Sequence, residues 1–330
     1  MADYDQIGAK QEWVPYLMTF CQPLCRFPSV TTDNTGLRTT IDRSGAPLEF
    51  KNSVGQYKAI QGHSIVAGGS TVFGVGATHD AKTIPSNLNR MTNCLWLNFG
   101  GRAFNSTQEA ILFLLHLPCS LDRLLIFSGV NNIVLALLNN RSSPIYGAIY
   151  DQSLFEASMN GASAKSGGVR QAASQLLREI HQRLFDGDAD QAPSSASQND
   201  NYSSIIACFH RDLRALKTLA LGLGGRPYFA LQPMAVWIDK LLSPEERKLF
   251  EILDKNQAGD WHSISNYLAT VRDRYFSDVA RICEEEKIPF YNLNLDPAFM
   301  MREWLFVDRV HLTDCGHELA AKIVTREFDL

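Results

Sequence analysis

No stretch of this chain supplies the ~20 apolar residues that a membrane-spanning helix needs. The longest apolar run, near 110–117, is stopped by His116 and Pro118. No long basic run occurs either. Thirty-one Lys and Arg against thirty-five Asp and Glu leave a net charge of −4, so binding to a nucleic-acid backbone has no electrostatic support. The first ten residues, MADYDQIGAK, lack the basic start and apolar core of a secretory signal. Cysteine is scattered and odd in number, at seven, and Cys21 and Cys25 form a lone CxxxC with no second pair. Zinc spacing asks for more than that, so no metal site is expected. The thiols read as free groups in a reducing cytoplasm. No repeat recurs at a period of about 20–50 residues.

What is present is an ordinary packed composition, 45% hydrophobic and 20% charged over 330 residues. Residues 1–57 mix aromatics with turn signals such as Asp33-Asn34-Thr35-Gly36 and Ser44-Gly45, and read as an N-terminal extension of short strands and loops. From 58 the pattern changes. Short apolar strands are expected at 65–67, 93–99, 123–128, 228–232 and 288–293, and helices at 106–117, 169–185, 202–223, 244–255, 260–287 and 314–328. Ser106 with Glu109 reads as a capping box, Thr313 and Asp314 as caps of the last helix, and the Ser-rich stretch 187–204 as a mobile loop. Strands alternating with helices predict a parallel sheet covered on both faces, with its site at the carboxyl ends of the strands.

The residues after those strands carry the chemistry. Gly68-Gly69-Ser70 closes the first strand. A serine on such a turn is held out from the backbone and suits a nucleophile, or it caps the following helix. A phosphate-binding loop is excluded, because no Gly-Lys-Ser/Thr follows and no GxGxxG is complete. A serine needs a base and the base an orienting acid. Of eight histidines, His311 alone sits in a loop leading into a helix with a carboxylate, Asp308, three residues before it. That spacing lets Asp308 reach Nδ1 and leaves Nε2 for a serine. The plain alternative is a structural Asp–His contact. Donors for a negative oxygen lie in 98–106 after the second strand and in Ser128-Gly129-Val130-Asn131-Asn132 after the third. Asn131 and Asn132 serve equally well as turn residues. Met234, Trp237, Phe299, Met300, Met301 and Trp304 either line an acyl pocket or belong to the core. Glu284-Glu285-Glu286 reads as a solvated helix face.

The order of these pieces resembles the SGNH (GDSL-like) hydrolase family, from about residue 62 to 328, with an unmatched helical insertion at roughly 140–225. GGSTVFG and DRVHLTDCGHELA are its most specific parts, and the extension lies outside it. The resemblance implies a flavodoxin-like three-layer α/β/α fold with a five-stranded parallel sheet over 58–330. It also implies an esterase or deacylase acting on a small acyl ester or thioester. Ser70 then matches the nucleophile, His311 the base, Asp308 its acid and Asn131 an oxyanion donor. Ser70 supplies its own N–H, and either Gly101 or Ala103 the remaining one. Gly69 replaces the family's middle Asp, and Asn132 the Asp that follows its asparagine. The change at Asn132, with Ala103 where the family has its oxyanion glycine, leaves open a non-catalytic binding protein on the same fold, and an acyltransferase on the same triad stays open because it differs only in what attacks the acyl-enzyme.

Overall fold

The apolar runs become the strands of one parallel sheet. The structure, a computed structural model, describes residues 11–12, 14–48, 63–138, 195–256 and 260–330. Two short antiparallel ribbons come first: β1 (Gln11–Glu12) with β2 (Phe20–Cys21), and β3 (Thr40–Ile41) with β4 (Pro47–Leu48). The sheet strands are β5 (His63–Gly68), β6 (Leu95–Gly100), β7 (Arg123–Ser128), β8 (Arg226–Leu231) and β9 (Phe290–Asn292), in spatial order β6-β5-β7-β8-β9. The chain leaves β5 to one side for β6 and crosses back to the other side for β7. Ligands of open α/β sheets bind outside the strand ends at such a reversal, and here that point is Gly68, level with Gly100 and Phe127.

Alternate side chains load both faces. Ile65, Ala67, Leu97, Leu124 and Ile126 pack with Leu112 and Phe113 of α3 (Ser106–Leu115), Ile133 of α4 (Val130–Leu138), Leu213 of α5 (Ser195–Gly222) and Val279 of α7 (Asp260–Glu285). Val66, Trp96, Leu125 and Phe127 pack instead with Val72 of α1 (Ser70–Phe73), Ile84 and Leu88 of α2 (Ile84–Met91), Phe250 of α6 (Pro244–Asn256) and Val324 of α8 (Asp314–Phe328). The result is three layers, α/β/α. Burying a side chain of this size contributes about 1.5–3 kcal/mol, which is why the strands read as unbroken apolar runs rather than alternating ones.

Several local expectations need correction. The cap of α3 falls one residue earlier than read: Asn105 Oδ1 accepts from Gln108 N at 3.0 Å, and Gln108 Oε1 accepts from Asn105 N at 3.3 Å. Ser106 is free to bond Asp212 across the layer at 2.7 Å, and Glu109 turns inward. The loop expected over 187–204 is helical from Ser195 onward, because α5 buries Tyr202, Ile205, Phe209 and Leu213 as the crossover between β7 and β8. Helix α2 was not foreseen, although Thr83 caps it and Pro85 opens it. Glu286 is not on a solvated face. It is buried, and the bond from Arg214, with others from His210 and Lys217, pulls its carboxyl down to about 2. The helix expected at 169–185 lies outside the described residues.

The described part of the N-terminal extension packs along the β6 side. Thr40 Oγ1 accepts from Asn98 N at 3.2 Å, Asn89 donates to Ile41 O at 3.1 Å, and Gln108 donates to Leu17 O at 3.0 Å. Cover of this kind protects an edge strand from pairing with another chain.

Candidate active site

Ser70 is the first residue of α1, and Gly69 occupies the cap position with φ −84°. The serine hydroxyl therefore does not cap its own helix. It lies 2.8 Å from His311 Nε2. A side chain at Gly69 would start 2.5 Å from Asn131 Nδ2, so the missing Cβ lets the Asn131 amide sit against the turn that carries Ser70.

His311 and Asp308 share a tight turn closed by a bridge between Phe306 and Leu312 and by Val307 N donating to His311 O at 2.9 Å. Asp308 Oδ1 accepts from Val310 N at 2.8 Å and His311 N at 2.7 Å. Those two bonds fix the carboxylate so that Oδ2 meets His311 Nδ1 at 2.6 Å. Burial alone would raise the Asp308 pKa. The imidazole beside it and the two amides outweigh burial and hold it below the usual carboxylate range. A carboxylate can only accept, so Nδ1 carries the proton and Nε2 presents its lone pair to Ser70 O–H.

The loops that carry Ser70 and His311 are joined directly. Asp314 accepts from Thr78 N at 2.7 Å and from Thr78 Oγ1 at 2.5 Å. His317 Nε2 lies 3.3 Å from Val75 O, and burial pushes its pKa down to about 3, so the ring is neutral and donates to the carbonyl. Gly76 takes φ +94° with a would-be Cβ only 2.2 Å from Leu312 O. Any other residue there would wedge the loops apart.

Of the two amides proposed for the second loop, Gly101 N donates to Gly68 O at 3.0 Å and is occupied by the sheet. Ala103 takes φ 56°, the left-handed region unusual for a residue with a Cβ, and no described residue accepts from its N–H. Asn131 donates one amide N–H to Phe104 O at 2.7 Å, which aims its second N–H. Asn132 braces the same loop, with Nδ2 donating to Ser106 Oγ at 2.7 Å and Oδ1 accepting from Ser106 N at 3.3 Å.

The four side chains expected at a substrate pocket are divided. Met234 and Trp237 are enclosed in the core, and Trp237 donates to Leu268 O at 3.0 Å. Met301 and Trp304 are 48% and 44% exposed on the surface. Sequence reasoning missed Glu109. It is buried behind the β7 turn, where Ser128 Oγ donates to Oε1 at 2.7 Å while Oε2 has no partner among the described residues. Desolvation pushes its pKa up to about 8 against the Ser128 bond, and the nearby Asp212 charge adds to the rise. Its place one turn into a helix after an Asn cap was the available signal. Arg38 and Asp80 were missed as well, and no motif marks them.

Among the described residues no group of His, Cys, Asp and Glu could hold a metal ion, and no helix is long and apolar enough to cross a membrane. No family model and no curated protein matches the chain. Among solved structures it is similar to an extracellular lipase from Streptomyces rimosus, at 12% identity, covering 80% of this chain and 99% of that one, with a TM-score of 0.44. It is also similar to an acetyl xylan esterase, at 13% identity, covering 79% of this chain and 96% of that one, with a TM-score of 0.38. At such scores the fold rests on the strand order above and the site on its own distances.

Proposed function

We propose that this chain is a serine acyl hydrolase of the SGNH type, acting on an ester or thioester through an acyl-enzyme on Ser70. The single observation that carries this reading is the unbroken contact chain from Ser70 Oγ to His311 Nε2 at 2.8 Å and from His311 Nδ1 to Asp308 Oδ2 at 2.6 Å. Ser70 Oγ attacks the carbonyl carbon as its proton passes to His311 Nε2. Asp308 stabilises the imidazolium that forms. The amides of Ser70 and Ala103 and the Asn131 side chain hold the tetrahedral oxyanion, each worth about 2.7–4 kcal/mol of transition-state stabilisation if lost. His311 then gives the proton to the departing oxygen or sulfur. Water, deprotonated by the same ring, releases the acid and restores Ser70. No step calls for a cofactor.

The test is steady-state and burst kinetics on p-nitrophenyl acetate. The expected result is an initial release of p-nitrophenol equal to the enzyme present. Ser70→Ala or His311→Ala should lower kcat by a factor on the order of 10⁶. Turnover unchanged in Ser70→Ala would remove the reading.

A further inference from the structure

Arg38 belongs to the N-terminal extension, yet its side chain ends at the turn that carries Ser70. Its guanidinium is fully enclosed, and Asp80, with which it pairs at 2.8 Å, is 6% exposed at the side chain. Nη1 donates to Phe73 O at 3.0 Å and Gly74 O at 2.7 Å, and Nη2 donates to Ser29 O at 2.7 Å. Phe73 is the last residue of α1 and Gly74 its left-handed cap at φ 92°. A single helical turn has no cooperative stability of its own, and its last carbonyls have no partner within the helix. Arg38 supplies both the partners and the positive charge at that end. Asp80 is held in turn by Thr31, whose N and Oγ1 donate at 3.2 and 2.6 Å. A second, apolar contact has the same origin: Cys21, Cys25 and Val30 form a closed cluster with Phe73 and Val75.

We propose that Arg38, braced by Asp80 and Thr31, is a positioning residue for Ser70, so that the N-terminal extension is part of the active site's construction. The inference rests on Ser70 being the nucleophile. The turn of α1 is held on one side by the base loop, through Thr78 to Asp314, and on the other by the extension, through Arg38. Only a planar fork reaches acceptors on three separate segments at once; a lysine ammonium offers its donors from one point. A displacement of about 1 Å at a reacting group costs roughly 10²-fold in rate, so a shift of a few tenths should cost about 10-fold.

The experiment uses the full chain as wild type, Arg38→Lys and the milder Thr31→Val. A fluorophosphonate probe is followed for its second-order labelling rate and its final stoichiometry. p-Nitrophenyl acetate turnover is measured alongside, and circular dichroism monitors the fold. The expected result for Arg38→Lys is full stoichiometry at a rate about 10-fold slower, with kcat lowered and KM within twofold. Thr31→Val should slow labelling in the same direction by less. A merely structural role gives a different pattern, with fewer labelled molecules each reacting at the wild-type rate, and that pattern overturns the proposal. Should Arg38→Lys not fold, Thr31→Val decides: wild-type labelling rate at full stoichiometry also overturns it. An unlabelled wild type would count against Ser70 itself, whereas a labelled wild type matched in rate by Arg38→Lys sinks only the role of Arg38.

Discussion

At the residue scale, the orientation of one imidazole depends on a carboxylate that can accept and cannot donate. Asp308→Asn keeps the shape but turns a donor toward Nδ1 or forces the other tautomer, which removes the lone pair facing Ser70. The expected outcome is a kcat lower by about 10⁴-fold with KM little changed, read from p-nitrophenyl acetate turnover. Gly69 sets the second residue-scale prediction. Its φ of −84° is open to any residue, so only contact matters. Gly69→Ala brings a methyl to 2.5 Å from Asn131 Nδ2 and displaces that amide. The rate should fall roughly 10²-fold or more, as for loss of one oxyanion donor, while the melting temperature stays within a few degrees. Ser70, Asp308, His311 and Asn131 were legible in the sequence because each follows a strand or sits at fixed spacing from its partner. The choice between Gly101 and Ala103 was not, since it turns on which amide the sheet ladder occupies.

At the scale of the element, α3 and β7 meet around the buried Glu109. A carboxyl whose folded pKa is pushed up to about 8 stays protonated in the native state while the unfolded chain has already ionised above the ordinary range near 4.3. The native state therefore loses stability progressively from that lower pH up to about 8, and the loss is complete above it. Glu109→Gln keeps an acceptor for Ser128 and removes the ionisation. Its melting temperature should match wild type at pH 5 and exceed it at pH 9. A variant less stable than wild type at pH 9 would show that the acid is not destabilised by burial. The sequence placed α3, α6, α7 and α8 to within a turn, because α8 carries a periodic apolar stripe and cap or breaker residues bound the others. It lost the start of α5, where Ser, Asn and Asp oppose helix locally and only packing from Tyr202 onward decides. It also shifted the α3 cap by one residue, since Asn105 and Ser106 are both good caps and only the tie to Asp212 separates them.

Across the whole molecule, the extension shares a core cluster with Phe73 and Val75 beside the Ser70 turn and a buried ion pair with Asp80. It should therefore unfold with the sheet as one unit. Cys21 and Cys25 lie in the extension and Cys283 in α7, and all three are buried, whereas Cys119 and Cys315 are exposed. Pulse alkylation through a urea titration should modify Cys119 and Cys315 at once. Cys21, Cys25 and Cys283 should lose protection at a single midpoint, shared with the fluorescence change of the buried Trp96 and Trp237. An earlier midpoint for Cys21 and Cys25 would mean that the extension detaches first. Composition and turn signals mark residues 1–57 as an extension, but they could not show that Arg38 crosses from it to the carbonyls of Phe73 and Gly74. A lone arginine among turn residues carries no periodicity to read.

The most direct measurement of the central claim is to locate the acyl group itself. The protein is mixed briefly with p-nitrophenyl acetate, quenched in acid, digested and mapped by mass spectrometry. The expected result is one acetyl group, on Ser70, absent from Ser70→Ala and formed far more slowly in Asp308→Asn. Acetylation confined to another residue, or p-nitrophenol released with no adduct at Ser70 under the same quench, would contradict the account.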